Sequence, residues 1–263
     1  MSASDRILRG FVIGAAALGL ALLSLPLFAL FLRVPLADLP ARLTQKPLLD
    51  ALWVSLTSTA AATLLSLLLG LPMAWILARV PFPGKSVVRA LVTLPMVLPP
   101  IVGGIALLAV FGRRGLLGSA LESAAGITIP FSFGAVVLAA AFVAMPFFVL
   151  TAESGLRAVD ARYEEAAASL GASPARRFLR ITLPLAAPSI RSGLAICFAR
   201  ALGEFGATVT FAGSVPGRTQ TLPLAVYLAF ESDPDAAVVQ SLVLVAISAA
   251  ILIALRDQWL PKN

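Results

Sequence analysis

The sequence predicts an all-α membrane protein with six transmembrane helices. Of its 263 residues, 59% are hydrophobic and only 13% are charged, whereas soluble globular domains carry about 25% charged residues. Six apolar runs are each long enough to cross a hydrocarbon core of about 30 Å. The basic residues lie mainly in the loops between these runs, where they suit lipid headgroups, so the net charge of +7 does not indicate nucleic acid.

The first predicted span covers residues 11–32 and follows a short polar segment that contains Arg6 and Arg9. The apolar region of a signal peptide has about 7 to 15 residues, which is shorter than this run. We therefore interpret residues 11–32 as an uncleaved span. The connector that follows, 33–50, contains three prolines, which interrupt helices.

The second and third predicted spans contain residues that disturb helices. Span two covers 52–77, and its Gly70-Leu71-Pro72 sequence predicts a bend. Span three covers 87–111 and contains a series of such residues, namely Pro95, Pro99, Pro100, Gly103 and Gly104. Backbone groups freed at membrane depth are tolerated where they are buried in protein or face a cavity. Span three is therefore predicted to line a translocation path.

The remaining spans are predicted at 131–152, 186–211 and 236–255, which places both termini on one side of the membrane. Basic residues are retained in the cytoplasm more readily than they are translocated. With both termini in the cytoplasm, the residues facing inward are Arg6, Arg9, Arg79, Lys85, Arg89, Arg157, Arg162, Arg176, Arg177, Arg180, Arg191, Arg256 and Lys262. Those facing outward are fewer, namely Arg33, Arg42, Lys46, Arg113, Arg114 and Arg218. This bias predicts cytoplasmic termini.

A polar and basic insert at 160–184 separates spans four and five. We expect Asp160 to cap a first short helix and Gly171 to end it in a left-handed turn. Ser173 and Pro174 should begin a second helix, which Pro184 should limit. The insert is therefore predicted to form a helix-turn-helix elbow at the membrane surface, on the cytoplasmic side.

The elbow carries Glu165-Ala166-Ala167, then Gly171 after three residues, then Ile181-x-Leu183-Pro184 after nine more. In this spacing it resembles the EAA loop of ABC importer permease subunits. The resemblance implies a type I ABC importer permease fold whose elbow seats in a groove of a cytoplasmic ATPase. The residues it assigns to ATPase coupling are Glu164, Glu165, Ala166, Ala167, Gly171, Ile181, Leu183 and Pro184. The alternative interpretation is an ordinary amphipathic linker.

A second informative stretch lies within span five, where Arg200 and Glu204 are four residues apart and can pair on one helix face. A charge at mid-membrane costs about 2.5 to 3.5 kcal/mol on insertion scales, so such residues are candidates for a functional site. A structural ion pair is an equally open alternative. Nearby glycines permit close helix approach, and hydroxyls can donate to an anion or simply bond between helices. The translocation-path candidates are Arg200, Gly203, Glu204, Gly206, Thr208, Thr210, Pro99 and Pro100.

Four stretches, RALGEFGATVTF, SVPGRTQTLPLAVY, LPMVLPPIVGG and FGRRG, resemble molybdate permease subunits. Sulfate and thiosulfate permeases share a related Arg-x-x-Gly-Glu pattern, so sulfate stays open, while the Pro-Gly-x-Thr-x-Thr-x-Pro-Leu run favours molybdate or tungstate. A secondary anion transporter is less favoured, because Glu204 is the one clear acid within a predicted span. A membrane enzyme is disfavoured because the sequence has no histidine and one cysteine.

The Gly84-Lys85-Ser86 sequence does not form a Walker A loop, since position 79 is arginine where that pattern needs glycine. We therefore expect no catalytic residue, metal or cofactor on this chain, with ATP and Mg bound by a partner ATPase. The resemblance implies a second copy of the chain, two ABC ATPase subunits, an extracytoplasmic oxyanion-binding protein and a prokaryotic plasma (inner) membrane. It divides the chain into 1–49 (tail, first span and external connector), 50–255 (permease domain) and 256–263 (cytoplasmic tail).

Overall fold

The structure is a computed structural model that describes residues 3–254. Within that range the regular secondary structure is entirely helical. The helices are α1 (Ala3–Leu32), α2 (Leu39–Leu43), α3 (Lys46–Arg79), α4 (Lys85–Val97), α5 (Pro100–Phe111), α6 (Gly118–Ala125), α7 (Phe133–Ala158), α8 (Ala161–Ser169), α9 (Pro174–Arg177), α10 (Leu183–Leu202), α11 (Gly206–Phe211), α12 (Leu222–Ser232) and α13 (Pro234–Ala254). A π-helical turn, Phe178–Thr182, joins α9 to α10. The all-α prediction is confirmed.

Five of the described helices are long and apolar enough to cross a membrane by length and composition. They are Leu8–Leu32, Lys46–Arg79, Phe133–Ala158, Pro174–Leu202 and Pro234–Ile251. Helices α4 and α5 pass the same test together, with a bend of 119° at the break between them. The described residues therefore contain six spans if this bent pair counts as one, and five if it does not.

Helix α7 lies at the centre of the bundle and packs mainly against α3 and α10. Its buried face is rich in alanine, which lets neighbouring backbones approach closely. Phe148 is fully buried between Gly70 of α3 and Gly193 of α10, where a Cβ atom would lie 2.8 Å and 3.2 Å from its ring atoms. The elbow follows the C-terminal end of α7, which we call the elbow end, and residues 130–132 precede its far end. The 26 residues of α7 separate these two ends by about 39 Å.

Helix α1 lies outside this core. None of its most apolar stretch is buried, and side chains such as Phe11 and Leu22 are each 74% exposed. A helix that exposes apolar residues on all sides is suited to contact with lipid. The first predicted span is therefore present as a helix at the periphery of the bundle.

Two predicted spans are interrupted, which corrects the expectation of one helix in each. The span predicted at 87–111 divides after Val97, because Leu98 precedes a proline and adopts an extended backbone (ψ 138°). The span predicted at 186–211 divides between α10 and α11, where Gly203, Glu204 and Phe205 leave the helix. Both breaks fall among the residues predicted to line a path.

Other helix boundaries differ from the prediction. Helix α3 continues through Gly70-Leu71-Pro72, and the bend expected there stays a prediction. It also begins at Lys46, so the predicted division between 49 and 50 falls inside a helix rather than in a connector. The loop predicted after span five contains α12, and the connectors 33–50 and 112–130 contain α2 and α6. The predicted tail 256–263, with Arg256 and Lys262, lies outside the described residues.

Candidate functional site

The elbow begins at α8 with the cap predicted for Asp160. Its carboxylate accepts a hydrogen bond of 2.9 Å from the backbone N–H of Arg162 and pairs with the Arg162 guanidinium at 2.7 Å. The hydrogen bond from that side chain holds the pKa of Asp160 below its ordinary value. The cap therefore stays charged at neutral pH and complements the helix N-terminus.

The turn of the elbow is formed as the sequence predicts. Gly171 has a φ of +79°, the left-handed conformation that glycine adopts at helix C-termini. The backbone N–H of Gly171 donates to Ala168 O (2.9 Å), and that of Ala172 donates to Ala167 O (3.0 Å). Ser173 Oγ then accepts from the N–H of Arg176 at 3.4 Å and caps the second helix.

Pro184 does not limit the second helix of the elbow, which corrects the sequence prediction. The chain runs helically from Pro174 to Leu202, through the π-helical turn that ends one residue before Leu183. A proline inside a helix removes one hydrogen bond and crowds the carbonyl four residues earlier, and a wider π turn relieves that crowding. The second helix of the elbow is therefore continuous with α10, so it can move as one body with the membrane helix.

One face of α8 and its turn points away from the bundle. Glu165, Ala166 and Gly171 are exposed there, while Ala167 is half-buried. Leu170 is 88% exposed beside them, which is unusual for a large apolar side chain outside the spans. Sequence reasoning missed Leu170, although it stands out as an apolar residue within a polar helix. This set, 165–167 with Leu170 and Gly171, forms a small protruding surface.

Glu164 points the other way and ties the elbow to the bundle. Its Oε1 lies 3.3 Å from Arg79 Nη2 at the end of α3, and it accepts a hydrogen bond of 2.7 Å from Thr182 Oγ1 in the π turn. Arg79 also donates to the carbonyl of Val159, at 2.9 Å. Ile181 and Leu183 are half-buried, and Leu183 packs against the core. The elbow is therefore anchored to α3, α7 and α10.

A second set of charges at the elbow end was missed by sequence reasoning. Glu153, in α7, is 4% exposed and pairs with Arg89 of α4 and with Arg157 at 2.8 Å. Arg157 in turn donates to Leu77 O of α3 at 3.0 Å. The expectation that Glu204 is the one acid within a span is therefore wrong. The predicted fourth span ended one residue before Glu153, and the spacing of four to Arg157 was the available signal.

The path candidates from the two broken spans lie against each other. A Cβ atom on Gly206 would lie 2.7 Å from Pro100 Cβ, and one on Gly104 would lie 2.7 Å from Thr210 Cβ. Helices α5 and α11 therefore approach as closely as glycine permits. Leu107 and Phe211 continue this contact toward the far end of α7. The prolines at the start of α5 and the glycine at the start of α11 thus form one site.

Arg200 and Glu204 form the predicted pair at the break between α10 and α11. Arg200 Nη2 lies 2.8 Å from Glu204 Oε2, and the Glu204 side chain is 2% exposed. The other oxygen, Oε1, accepts a hydrogen bond of 2.9 Å from the N–H of Ala207. Both carboxylate oxygens are engaged within the protein, so Glu204 stabilises the break. Gly203 leaves open space, since a Cβ atom there would meet only Ala199 O at 3.8 Å.

The hydroxyls in α11 and in the loop that follows it are mostly engaged within the protein. Thr210 Oγ1 donates to Gly206 O, Thr219 Oγ1 accepts from Val215 N, and Ser214 Oγ accepts from a side-chain amide. Thr208 differs, because its Oγ1 is buried and has no hydrogen-bond partner within residues 3–254. Thr208 is therefore the candidate hydroxyl whose bonding capacity is unused.

The sequence is similar to known membrane transport proteins. The family of binding-protein-dependent transport system inner membrane components matches residues 66–261. The molybdenum transport system permease protein of Mycobacterium tuberculosis is 50% identical over 89% of each chain. That of Escherichia coli is 41% identical over 81% of this chain and 93% of its own. A probable sulfate transport system permease protein of Anthoceros angustus is 35% identical over 93% and 86%.

Solved structures share the fold. A chain of a bacterial ABC transporter involved in the import of the acidic polysaccharide alginate matches with a TM-score of 0.77, covering 97% of this chain and 95% of its own, at 15% identity. A chain of the MetNI methionine ABC transporter in inward-facing conformations matches with a TM-score of 0.63 over 80% of this chain and 93% of its own, at 19% identity.

Proposed function

Since the chain belongs to the family of binding-protein-dependent transport system inner membrane components, we propose that it is the permease subunit of an ABC importer that brings molybdate into the cytoplasm. The molybdenum permeases resemble it at 41–50% identity and the sulfate permease at 35%. The chain is a transport subunit rather than an enzyme. Tungstate is a second candidate substrate, because it is a tetrahedral dianion of the same charge.

Coupling to an ATPase is supported by the way α8 exposes some residues to solvent and binds the bundle through another. Glu165, Ala166 and Leu170 protrude, while Glu164 binds Arg79 and Thr182 inside the bundle. A small and partly apolar surface can seat closely in a groove of a partner, while the inward ion pair carries its displacement to α3 and α10. An ordinary linker would not need both features on one short helix.

The assembly that we propose contains two copies of this chain in the plasma membrane of a prokaryote, with both termini and the elbow in the cytoplasm. Two ATPase subunits hold ATP and Mg and dock on the elbows. A binding protein delivers the oxyanion from outside, as a substrate-loaded periplasmic protein is found in complex with the alginate transporter. ATP-driven closure of the ATPases draws the elbows together and turns the path outward, and hydrolysis resets it.

The translocation path that we propose runs along the contact between α5 and α11. Its narrowest level is formed by Pro100 with Gly206 and by Gly104 with Thr210. The Thr208 hydroxyl, with no partner in the described part of the chain, is a neutral donor for a passing oxyanion. Arg200 and Glu204 stabilise the break between α10 and α11 and do not bind the substrate, since each is engaged with the other.

The substrate and the class of transporter are tested with the reconstituted transporter and its binding protein, by measuring ATP hydrolysis. We expect molybdate and tungstate to stimulate hydrolysis severalfold and sulfate to have little effect. Stimulation by sulfate alone would overturn the molybdate assignment. Uptake into proteoliposomes that lack the ATPase would overturn the importer class and favour a secondary transporter.

A further inference from the structure

A cavity of about 580 Å³ lies at the far end of α7, the end opposite the elbow. It is lined by the end of α5, by the segment before α7 and by the loop after α11. The side chains that define it are Leu108, Arg113, Thr128, Pro130, Phe131 and Arg218. Two guanidinium groups from loops far apart in the sequence thus face one cavity, while no acidic side chain lines it.

The two arginines of this cavity differ in their ion pairs. Arg218 makes no ion pair within residues 3–254, whereas Arg113 Nε lies 3.6 Å from Glu122 Oε1 in a solvent-exposed ion pair. The Thr128 hydroxyl likewise has no hydrogen-bond partner in the described part of the chain. Guanidinium groups and a hydroxyl around one cavity are the donor set that binds a multivalent oxyanion.

The walls of the cavity are held in place by specific contacts. Phe131 has a φ of +58°, which costs a residue other than glycine about 1–2 kcal/mol, and its N–H donates to Phe211 O. Its ring lies against Gly213, where a Cβ atom would meet it at 3.1 Å. In the loop that carries Arg218, the carbonyl of Val215 accepts hydrogen bonds from the next residues, including Arg218 and Thr219. Arg218 is therefore presented by an ordered turn.

The cavity adjoins the contact between α5 and α11. Leu108, in its wall, lies one turn beyond Gly104, which meets Thr210, and Phe131 is bonded to the last residue of α11. An anion in the cavity would lie about 12 Å along α5 from the level of Pro100 and Gly206. The cavity therefore lies at the end of the contact that forms the proposed path.

We propose that this cavity is a receiving site for the oxyanion, in which Arg113 and Arg218 bind the dianion after its release and before it passes between α5 and α11. This rests on the proposed function. Both arginines are exposed, so their attraction is screened by water and salt. Binding is weak enough for the ion to move on, as conduction requires.

The test is equilibrium dialysis of radiolabelled molybdate against the complete transporter without its binding protein. We expect Arg218→Gln and Arg113→Gln each to weaken binding about tenfold, the ratio that corresponds to one charge-assisted hydrogen bond. Arg218→Lys should weaken it less, because it keeps the charge. Arg114→Gln is the matched control, since Arg114 is adjacent and exposed but does not line the cavity, and it should bind as the parent does.

Four outcomes distinguish the explanations. If Arg114→Gln and Arg218→Gln lose molybdate affinity equally, the site is overturned, because the loss would reflect net charge alone. If the glutamine variants bind molybdate as the parent does but associate more weakly with the binding protein, the site is also overturned. The arginines would then be assigned to docking of the binding protein. If molybdate fails to stimulate ATP hydrolysis by the parent transporter, the proposed function fails. If stimulation is normal and both glutamine variants bind molybdate as the parent does, only the receiving site fails.

Discussion

At the scale of single residues, the charges at the elbow end are engaged in fixed pairs. Glu153 pairs with one arginine of α4 and one of α7, and Glu164 joins α3 to the elbow. Removing one partner of a buried pair leaves the other charge uncompensated, which costs more than the pair itself contributes. These two acids therefore matter for the rigidity of the elbow end, whatever passes along the path.

We predict that Glu153→Gln lowers the stability of the bundle. Removing a partner from a fully buried pair costs about 3–5 kcal/mol, but both arginines here reach solvent, so we expect about 2 kcal/mol. Thermal unfolding in detergent measures the change. Glu165→Gln removes an exposed acid on the same side and should leave the unfolding temperature unchanged. Equal stability of the two variants would show that the Glu153 pairs contribute nothing.

At the scale of elements, the turn of the elbow depends on Gly171. We predict that Gly171→Ala weakens the stimulation of ATP hydrolysis severalfold, because a left-handed φ costs alanine about 1–2 kcal/mol and the strain redirects α8. The measurement is ATP hydrolysis by the assembled transporter.

Gly126 provides the matched control for this change. It also has a left-handed φ, of +64°, has no atom within 4 Å of a Cβ position, and lies in the segment before α7 at the far end. Gly126→Ala should carry a similar backbone cost yet leave coupling intact. Intact coupling in both variants would remove the elbow from the mechanism.

The contact between α5 and α11 makes a separate prediction. Gly206→Ala should reduce molybdate uptake about tenfold, because its Cβ atom would lie 2.7 Å from Pro100 Cβ and would distort the close contact along the proposed path. Uptake into proteoliposomes with ATPase and binding protein measures it. Gly203→Ala, three residues earlier, adds its methyl group to open space and should transport normally. If Gly203→Ala reduced molybdate uptake and Gly206→Ala did not, the path would lie elsewhere.

The elements differ in how far the sequence predicts them. Local signals sufficed for the elbow, because Asp160, Gly171 and Ser173 each act within a few residues. Local signals failed at Pro184, because a π-helical turn before it lets the helix continue. They also failed at Glu204, where the helix breaks and the carboxylate accepts a hydrogen bond from the backbone N–H of Ala207. The contact of Gly206 with Pro100 joins residues over a hundred positions apart, so no local pattern could give it.

At the scale of the whole molecule, α7 separates the two ends for which we propose functions. The elbow lies at one end with its protruding face, and the receiving cavity with its two arginines lies at the other, about 39 Å away. The broken helices α4–α5 and α10–α11 connect these ends alongside α7. A displacement of the elbow therefore has a direct route through α10 to the break that adjoins the path.

The elbow, as we propose, is the cytoplasmic docking surface for an ATPase. Labelling of Leu170→Cys by a membrane-impermeant maleimide tests it, because the one native cysteine, Cys197, is buried. We expect labelling in inverted vesicles, protection when the ATPase is bound, and no labelling in right-side-out vesicles, whereas Arg114→Cys should show the opposite sidedness. Labelling of Leu170→Cys from the outside, or without protection by the ATPase, would contradict the account.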